Sequence, residues 1–353
     1  MLPPRFDSLP EHVLDIVFES LLFGTRAAQF ASLCLICRRC VNPARRAMVH
    51  LVNLPVHRQE GLVAMLVQQP ALGQHVRSVV ATLGNDFGPA ALSQVIAASP
   101  RIGDIMIAIN CGHSFEDAIA DHLAPTIRAC SRLRDMYLDV DDRDDDGTEA
   151  QCAALLMDAA RLTVRSLGFS ARGSLQEPGV SDAGLFPALT DFDAQRCPGV
   201  LYANIAARSP NLLHLQNYAI STVVRALSDN HASQVLTAVD FGDGEGPPAP
   251  LGPQDVRRLK VVKSVSIYAQ HFGEDDYCCL APTIEELGIT YFMFAEMSAD
   301  LMAWLSNPTS LPKLRELTHF VWPAAPDAVA AIDAMCEARG IDCVNGLAWR
   351  DGD

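Results

Sequence analysis

The feature that most constrains this chain is a recurring apolar pattern. An apolar residue is followed by another three positions on, and usually by a third two positions later. The clearest copies are Val76-Val79-Ala81, Ile102-Ile105-Ile107, Leu133-Met136-Leu138, Val164-Leu167-Phe169 and Leu189-Phe192-Ala194. The series continues through Leu212-Leu215, Leu236-Val239-Phe241, Val262-Val265-Ile267, Ile284-Leu287-Ile289 and Leu314-Leu317, with Val344-Leu347-Trp349 as an eleventh member. Successive first anchors lie 22 to 31 residues apart. Two apolar residues at spacing two lie on one face of a strand. The intervening stretches are long enough for a helix that returns the chain to the next strand. The spacing predicts such helices over 90–98, 116–130, 149–161, 200–207 and 325–339. One unit of this kind cannot bury its own apolar face, but several stacked units share a continuous core.

The pattern resembles leucine-rich repeats, whose units run about 20–29 residues. That resemblance implies a parallel-sheet α/β solenoid, a horseshoe, over residues 71–353. Asn110 and Cys197 stand where the family unit often ends in Asn or Cys. Asp141, Ile220 and Phe292 depart from that rule, so the repeats are irregular. The alternative is an unrelated α/β domain of alternating strands and helices.

A different pattern precedes the repeats. Leu9 and Pro10 follow a candidate cap, Ser8, and apolar residues recur at Val13, Leu14, Val17, Phe18, Leu21 and Leu22. This is helical spacing with one apolar stripe. Phe30, Leu33, Cys34, Ile36 and Cys37 give a second amphipathic stretch, Pro43 breaks it, and 44–48 resumes as a third helix. Three short helices make a core too small to be stable alone, so some of this apolar surface is expected to meet a partner or a neighbouring domain. The Leu9-Pro10-x-x-Val13-Leu14 start, with Ile16, Leu21 and the Leu33-Cys34-x-Ile36-Cys37-Arg38-Arg39 run, resembles the F-box. That module docks substrate receptors onto the Skp-family adaptor of cullin-RING ubiquitin ligases. Cys40 stands where the family usually carries tryptophan. The resemblance implies an adaptor-binding set of Leu9, Pro10, Val13, Ile16, Leu21 and Leu33 within a three-helix domain over residues 1–50. Residues 51–70 then read as a linker helix, 58–69, that caps the solenoid with Leu62, Val63, Leu66 and Val67. The alternative is that these helices are only the cap of a larger domain.

Charge is unevenly placed. The net charge is −15, yet residues 1–50 carry six Arg against four acidic residues. The acidic remainder suits neither nucleic acid nor an anionic membrane. Asp7, Glu11 and Asp15 argue against a secretory signal, and no apolar run approaches the ~18 residues of a membrane span. With those signs, the eleven cysteines read as reduced thiols of a cytoplasmic or nuclear protein.

No nucleophile elbow, phosphate loop, dinucleotide fingerprint or paired metal-binding histidines appear in the sequence. Cys34, Cys37 and Cys40 form a CxxCxxC run, but buried cysteine fits it better than zinc. The acidic stretch 139–146 lacks the glycine and terminal glutamate of a calcium loop. Stretches 172–184 and 242–253 read as surface insertions. No cofactor, metal or catalytic residue is therefore expected.

The implied role is that of a non-catalytic receptor subunit of an SCF-type ubiquitin ligase, its F-box holding the adaptor and, through it, a cullin. A repeat scaffold without a ligase role is the main alternative, and a hydrolase with cryptic catalytic residues a remoter one. Positions two, four and six after each first anchor point away from the apolar face. In the first ten repeats they hold Asp104, Asp135, Asp139, Asp191, Asp193, Asp240, Glu286 and Glu316, and no Lys or Arg. His214, Tyr137, Tyr218 and Tyr268 sit among them. A target with a basic segment is expected to meet Asp135, Tyr137, Asp191, Asp193, His214, Tyr218, Asp240 and Tyr268, through ion pairs and cation–π contacts. Arg77, Arg134, Arg165, Lys263 and Arg315 follow the anchors by one position and give that surface a basic edge. Solubility alone also accounts for an acidic sheet.

Overall fold

A computed structural model of the chain describes Leu14, Pro43 and residues 50–54, 59–84, 87–110, 115–141, 148–172, 185–195, 205, 208–217, 236–241, 261–268, 282–290, 299–320 and 326–345. Outside the described residues lie Leu9, Pro10, Val13, Ile16, Leu21, Leu33, the CxxCxxC cysteines, Tyr218 and the stretch 242–253. The chain divides into two compact units, Met1–Val164 and Arg165–Asp353.

The first unit is α/β. Its strands are β1 (Leu51–Leu54), β2 (Ser78–Leu83), β3 (Asp104–Ile109) and β4 (Asp135–Asp141). They run parallel in chain order, with Val52 opposite Val79, Val79 opposite Ile105 and Ile105 opposite Met136. Helices α1 (Gln59–Gln68), α2 (Pro70–Gly73), α3 (Pro89–Ala97) and α6 (Thr148–Ala160) alternate with them. Between β3 and β4, α4 (Glu116–Ala118) passes through a π-turn (Ile119–Leu123) into α5 (Ala124–Ala129). Pro125 has no N–H to give the preceding turn, which accounts for the wider winding there. Helix α6 buries Cys152, Leu156 and Ala159 on one face and Ala153, Met157 and Ala160 beside them, the stripe that 3.6-residue spacing produces.

The second unit continues the same rule with β5 (Ser166–Arg172), β6 (Asp191–Gln195), β7 (His214–Asn217), β8 (Ala238–Phe241), β9 (Ser264–Tyr268), β10 (Glu286–Thr290), β11 (Glu316–Phe320) and β12 (Asp342–Asn345). One register row runs Leu167, Phe192, Leu215, Val239, Val265, Leu287, Leu317, Cys343. Its described helices are α7 (Ala299–Ser306) and α8 (Pro326–Arg339). No described helix of either unit is long and apolar enough to cross a membrane.

The apolar anchors explain both sheets. In the first ten repeats, every anchor whose side chain is described is buried. Each such Leu, Ile or Phe contributes about 1.5–3 kcal/mol by leaving water. Several first anchors are delivered by a turn, not by the strand: the N–H donates to the carbonyl three residues back, as Ile102 does to Ser99, Leu189 to Phe186, Leu212 to Ser209 and Leu314 to Leu311, whereas Val164 donates four back, to Ala160. Pro100, Pro187, Pro210 and Pro312 hold the second place of these four turns, where a fixed φ near −65° suits the geometry.

Three expectations change in detail. Leu51–Leu54, inside the stretch read as linker helix, is a strand: it pairs with β2, and Val52 is buried. Pro70 follows the end of α1 but also starts α2, where its missing N–H is harmless at the first helical position. The eleventh repeat begins earlier than Val344-Leu347-Trp349 places it, because Cys343 is the residue opposite Leu317. Gly340, at φ 66°, ends α8 with its N–H on the Glu337 carbonyl, while the Ile341 N–H reaches Cys336. This glycine-capped turn carries the chain directly into β12.

Candidate functional site

Strand alternation sends residues two and four after each first anchor away from the core. On β5 to β9 these residues line a groove of about 450 Å³, whose walls include Ser166, Asp191, Asp193, His214, Ser264 and Ser266. Small residues stand at several of the outward slots, Ser166 beside Asp191, Gly168 beside Asp193 and Ala238 beside His214.

Asp191 is the polar centre. Its Oδ1 lies 2.5 Å from His214 Nδ1 across the β6–β7 pair. Its other oxygen accepts from the Thr190 hydroxyl at 2.6 Å, and that hydroxyl also reaches the Arg165 carbonyl. The carboxylate is thus aimed by groups on both sides, while Asp191 and His214 keep about half their side-chain surface in solvent. Asp193, two residues on, is half-buried on the same face.

The expected target-contacting residues divide by unit. Asp135 is exposed and Tyr137 half-buried on β4 of the first unit. Asp191, Asp193 and His214 come together in the second-unit groove. Asp240 and Tyr268 lie on β8 and β9, the backbones next along the sheet. Ser166, Ser264 and Ser266 line the groove but were not singled out by charge or aromaticity. The alternation rule that picks out Asp191 also picks out these serines.

A second row borders this face, one position after each first anchor. Backbone hydrogen bonds chain it together, from Gly103 to Arg77 and Arg134 to Gly103 in the first unit, and from Glu285 to Lys263 and Arg315 to Glu285 in the second. In the second unit Glu285 stands between two cations, 3.5 Å from Lys263 Nζ and 3.7 Å from Arg315. Two of the expected edge charges are therefore partly neutralised within their own row.

The groove offers carboxylates, one imidazole and small hydroxyls on a rigid surface, which suits recognition of a cationic or hydrogen-bond-donating segment. For nucleophilic chemistry the Asp191–His214 pair would need a hydroxyl or thiol beyond the imidazole. The register there places Ala238, and Ser264 is one strand further, about 9–10 Å from β7 at ordinary strand spacing.

No family model matches the chain, and no curated protein matches it. Among solved structures, the chain is similar to one from the Toll–Spatzle complex of Drosophila, at 12% identity and a TM-score of 0.42, over 68% of this chain and 30% of that one. It is also similar to a chain of the yeast Rad7 and Elc1 complex, at 12% identity and a TM-score of 0.40, over 88% of each chain.

Proposed function

We propose that the chain is an F-box and leucine-rich-repeat receptor, a non-catalytic subunit that brings a basic protein target to an SCF-type ubiquitin ligase. The observation that carries the target half of this reading is the groove on β5–β9, where Asp191, Asp193 and His214 converge beside Ser166, Ala238, Ser264 and Ser266. An acidic groove of this kind discriminates by charge and by the depth its small residues leave open. The adaptor half rests on the apolar spacing of Leu9, Pro10, Val13, Ile16, Leu21 and Leu33. Tethering both partners on one chain raises the target's effective concentration at the ligase without any chemistry by the receptor itself.

The test is affinity purification of the full chain beside a chain lacking residues 1–50 and a Leu9→Ala/Pro10→Ala double variant. Both altered chains are expected to lose a Skp-family adaptor and its cullin while keeping the same target. Unchanged adaptor recovery in the double variant would count against the receptor role and favour a repeat scaffold that acts alone.

A further inference from the structure

The third anchor slot of β11 does not hold an apolar residue. Ile289 of β10 is paired there with His319, and His319 is fully buried. Among the described residues, neither of its ring nitrogens has a hydrogen-bond partner. An unpaired buried imidazole is costly to keep, so the arrangement asks for a ligand.

The groups around His319 supply a ligand set. Asp333 on α8 brings Oδ1 to 3.8 Å from His319 Nε2. Cys343 on β12 donates its thiol to the same Asp333 oxygen at 3.3 Å. The ligand atoms of His319, Asp333 and Cys343 all lie within 4.8 Å of one another. Cys336 is buried one turn beyond Asp333 on α8. Ligands of a tetrahedral zinc ion, with bonds of ~2.0–2.3 Å, sit about 3.3–3.8 Å apart. The Asp333–Cys343 and His319–Asp333 separations stand at the lower and upper ends of that interval.

We propose that His319, Asp333 and Cys343 supply three ligands of a zinc site that ties β11, α8 and β12 together. Imidazole, thiolate and carboxylate together select a borderline cation such as Zn²⁺ over Mg²⁺ or Ca²⁺. Binding Zn²⁺ forms the metal–sulfur bond and releases the thiol proton to solvent. The turn at Gly340 leads α8 directly into β12.

The experiment loads the full chain with Zn²⁺, removes the excess and measures metal content, then competes the metal with a chromophoric chelator. About one zinc per chain is expected, with a rise in Tm over the chelator-treated protein. Cys343→Ser should weaken binding at least about tenfold and remove the thiolate charge-transfer band of the Co²⁺-substituted protein. Asp333→Asn alters a largely exposed side chain; it keeps the fold and should also weaken binding, which covers the case that Cys343→Ser fails to fold. The triple variant Cys34→Ser/Cys37→Ser/Cys40→Ser should keep its zinc. No uptake by the unaltered chain overturns the proposal. So does zinc that survives both Cys343→Ser and Asp333→Asn, or zinc that leaves with the Cys34 set.

Discussion

The same backbone rule sets apolar and aromatic outward residues in one half of the chain and acidic and small ones around a groove in the other. Four positions after the first anchor, β2, β3 and β4 hold Val80, Met106 and Tyr137, and Met106 keeps 39% of its surface exposed. In the second unit that slot holds Asp193, Ser266 and Gly288 on β6, β9 and β10. A Cβ at Gly288 would come within 2.8 Å of Ser266 Oγ, so the two small residues already lie close together. The inward slots do not differ in this way: both halves bury branched or aromatic residues there. The fold is thus written in the inward row, and any recognition in the outward one. The two rows can be broken separately.

The largest effect belongs to the inward row. Ile107 and Ile289 occupy the same third slot, one in each half, and both are fully buried. Ile107→Ala and Ile289→Ala should each cost about 2–5 kcal/mol, read as a lower midpoint in urea. A cost below about 1 kcal/mol at one site would mean that the two halves do not share one packing rule.

A thiol in the first unit gives the next largest effect. Cys130, just past the end of α5, is pushed up to about 11 by burial. At pH 9 an ordinary thiol is about half ionised, so alkylation of Cys130 in the folded chain should run about fifty-fold slower than in the unfolded chain. The sign for stability follows. Below the ordinary thiol value both states are protonated and nothing is lost. Above it the unfolded chain ionises first, so folding weakens as pH rises towards 11. Peptide-level mass spectrometry checks the rate, and equal rates would refute the burial.

These contrasts also show what the sequence makes legible. The triplets stand out because an inward slot in a stacked sheet must be apolar. Apolar spacing therefore marks Ile105 and Leu287 and passes over the polar side chains that share the inward row, His319 and Cys343. Strand β1 carries the same spacing in the sequence, Val49-Val52-Leu54, with Val52 opposite Val79 and Leu54 opposite Ala81, so it is legible by the same rule, and the linker-helix reading of that stretch misses it. The proline turns ahead of the anchors at Pro100, Pro187, Pro210 and Pro312 are a local signal that anchor spacing alone does not use. At the groove, charge marks Asp191, Asp193 and His214, but depth comes from what is missing at Ala238 and Ser266, which no charge pattern reveals.

The outward row comes next in size. Asp191→Lys with Asp193→Lys should lower target capture about tenfold and flatten its salt dependence, with adaptor recovery unchanged. Asp104→Lys with Asp135→Lys, the matched pair on β3 and β4, should lower it less, about threefold. Asp104 already accepts the Ser78 hydroxyl at 2.6 Å, and the neighbouring slots there are filled by Met106 and Tyr137. Equal losses from the two pairs would mean that the groove is not the binding surface and that net charge alone attracts the target.

The smallest effect concerns the bordering row, where the halves differ by one residue. In the second unit Lys263, Glu285 and Arg315 alternate in sign, whereas in the first Arg77 and Arg134 flank Gly103. The Glu285 pairs are solvent-exposed on the cationic side, so they contribute at most about 1 kcal/mol together. Glu285→Gln should cost a few tenths of that scale at low salt and nothing at ~1 M, where charges are screened beyond about 3 Å. Gly103 has the space to be converted: an added Cβ would meet only the Arg132 carbonyl, at 3.8 Å. Replacing a glycine also stiffens the unfolded chain, so the informative quantity is the difference between Gly103→Glu and Gly103→Gln. That difference should favour Glu by a few tenths of a kcal/mol at low salt and vanish at high salt. A Glu variant no more stable than the Gln variant at low salt would mean that Arg77 and Arg134 do not reach across their row as Lys263 and Arg315 do.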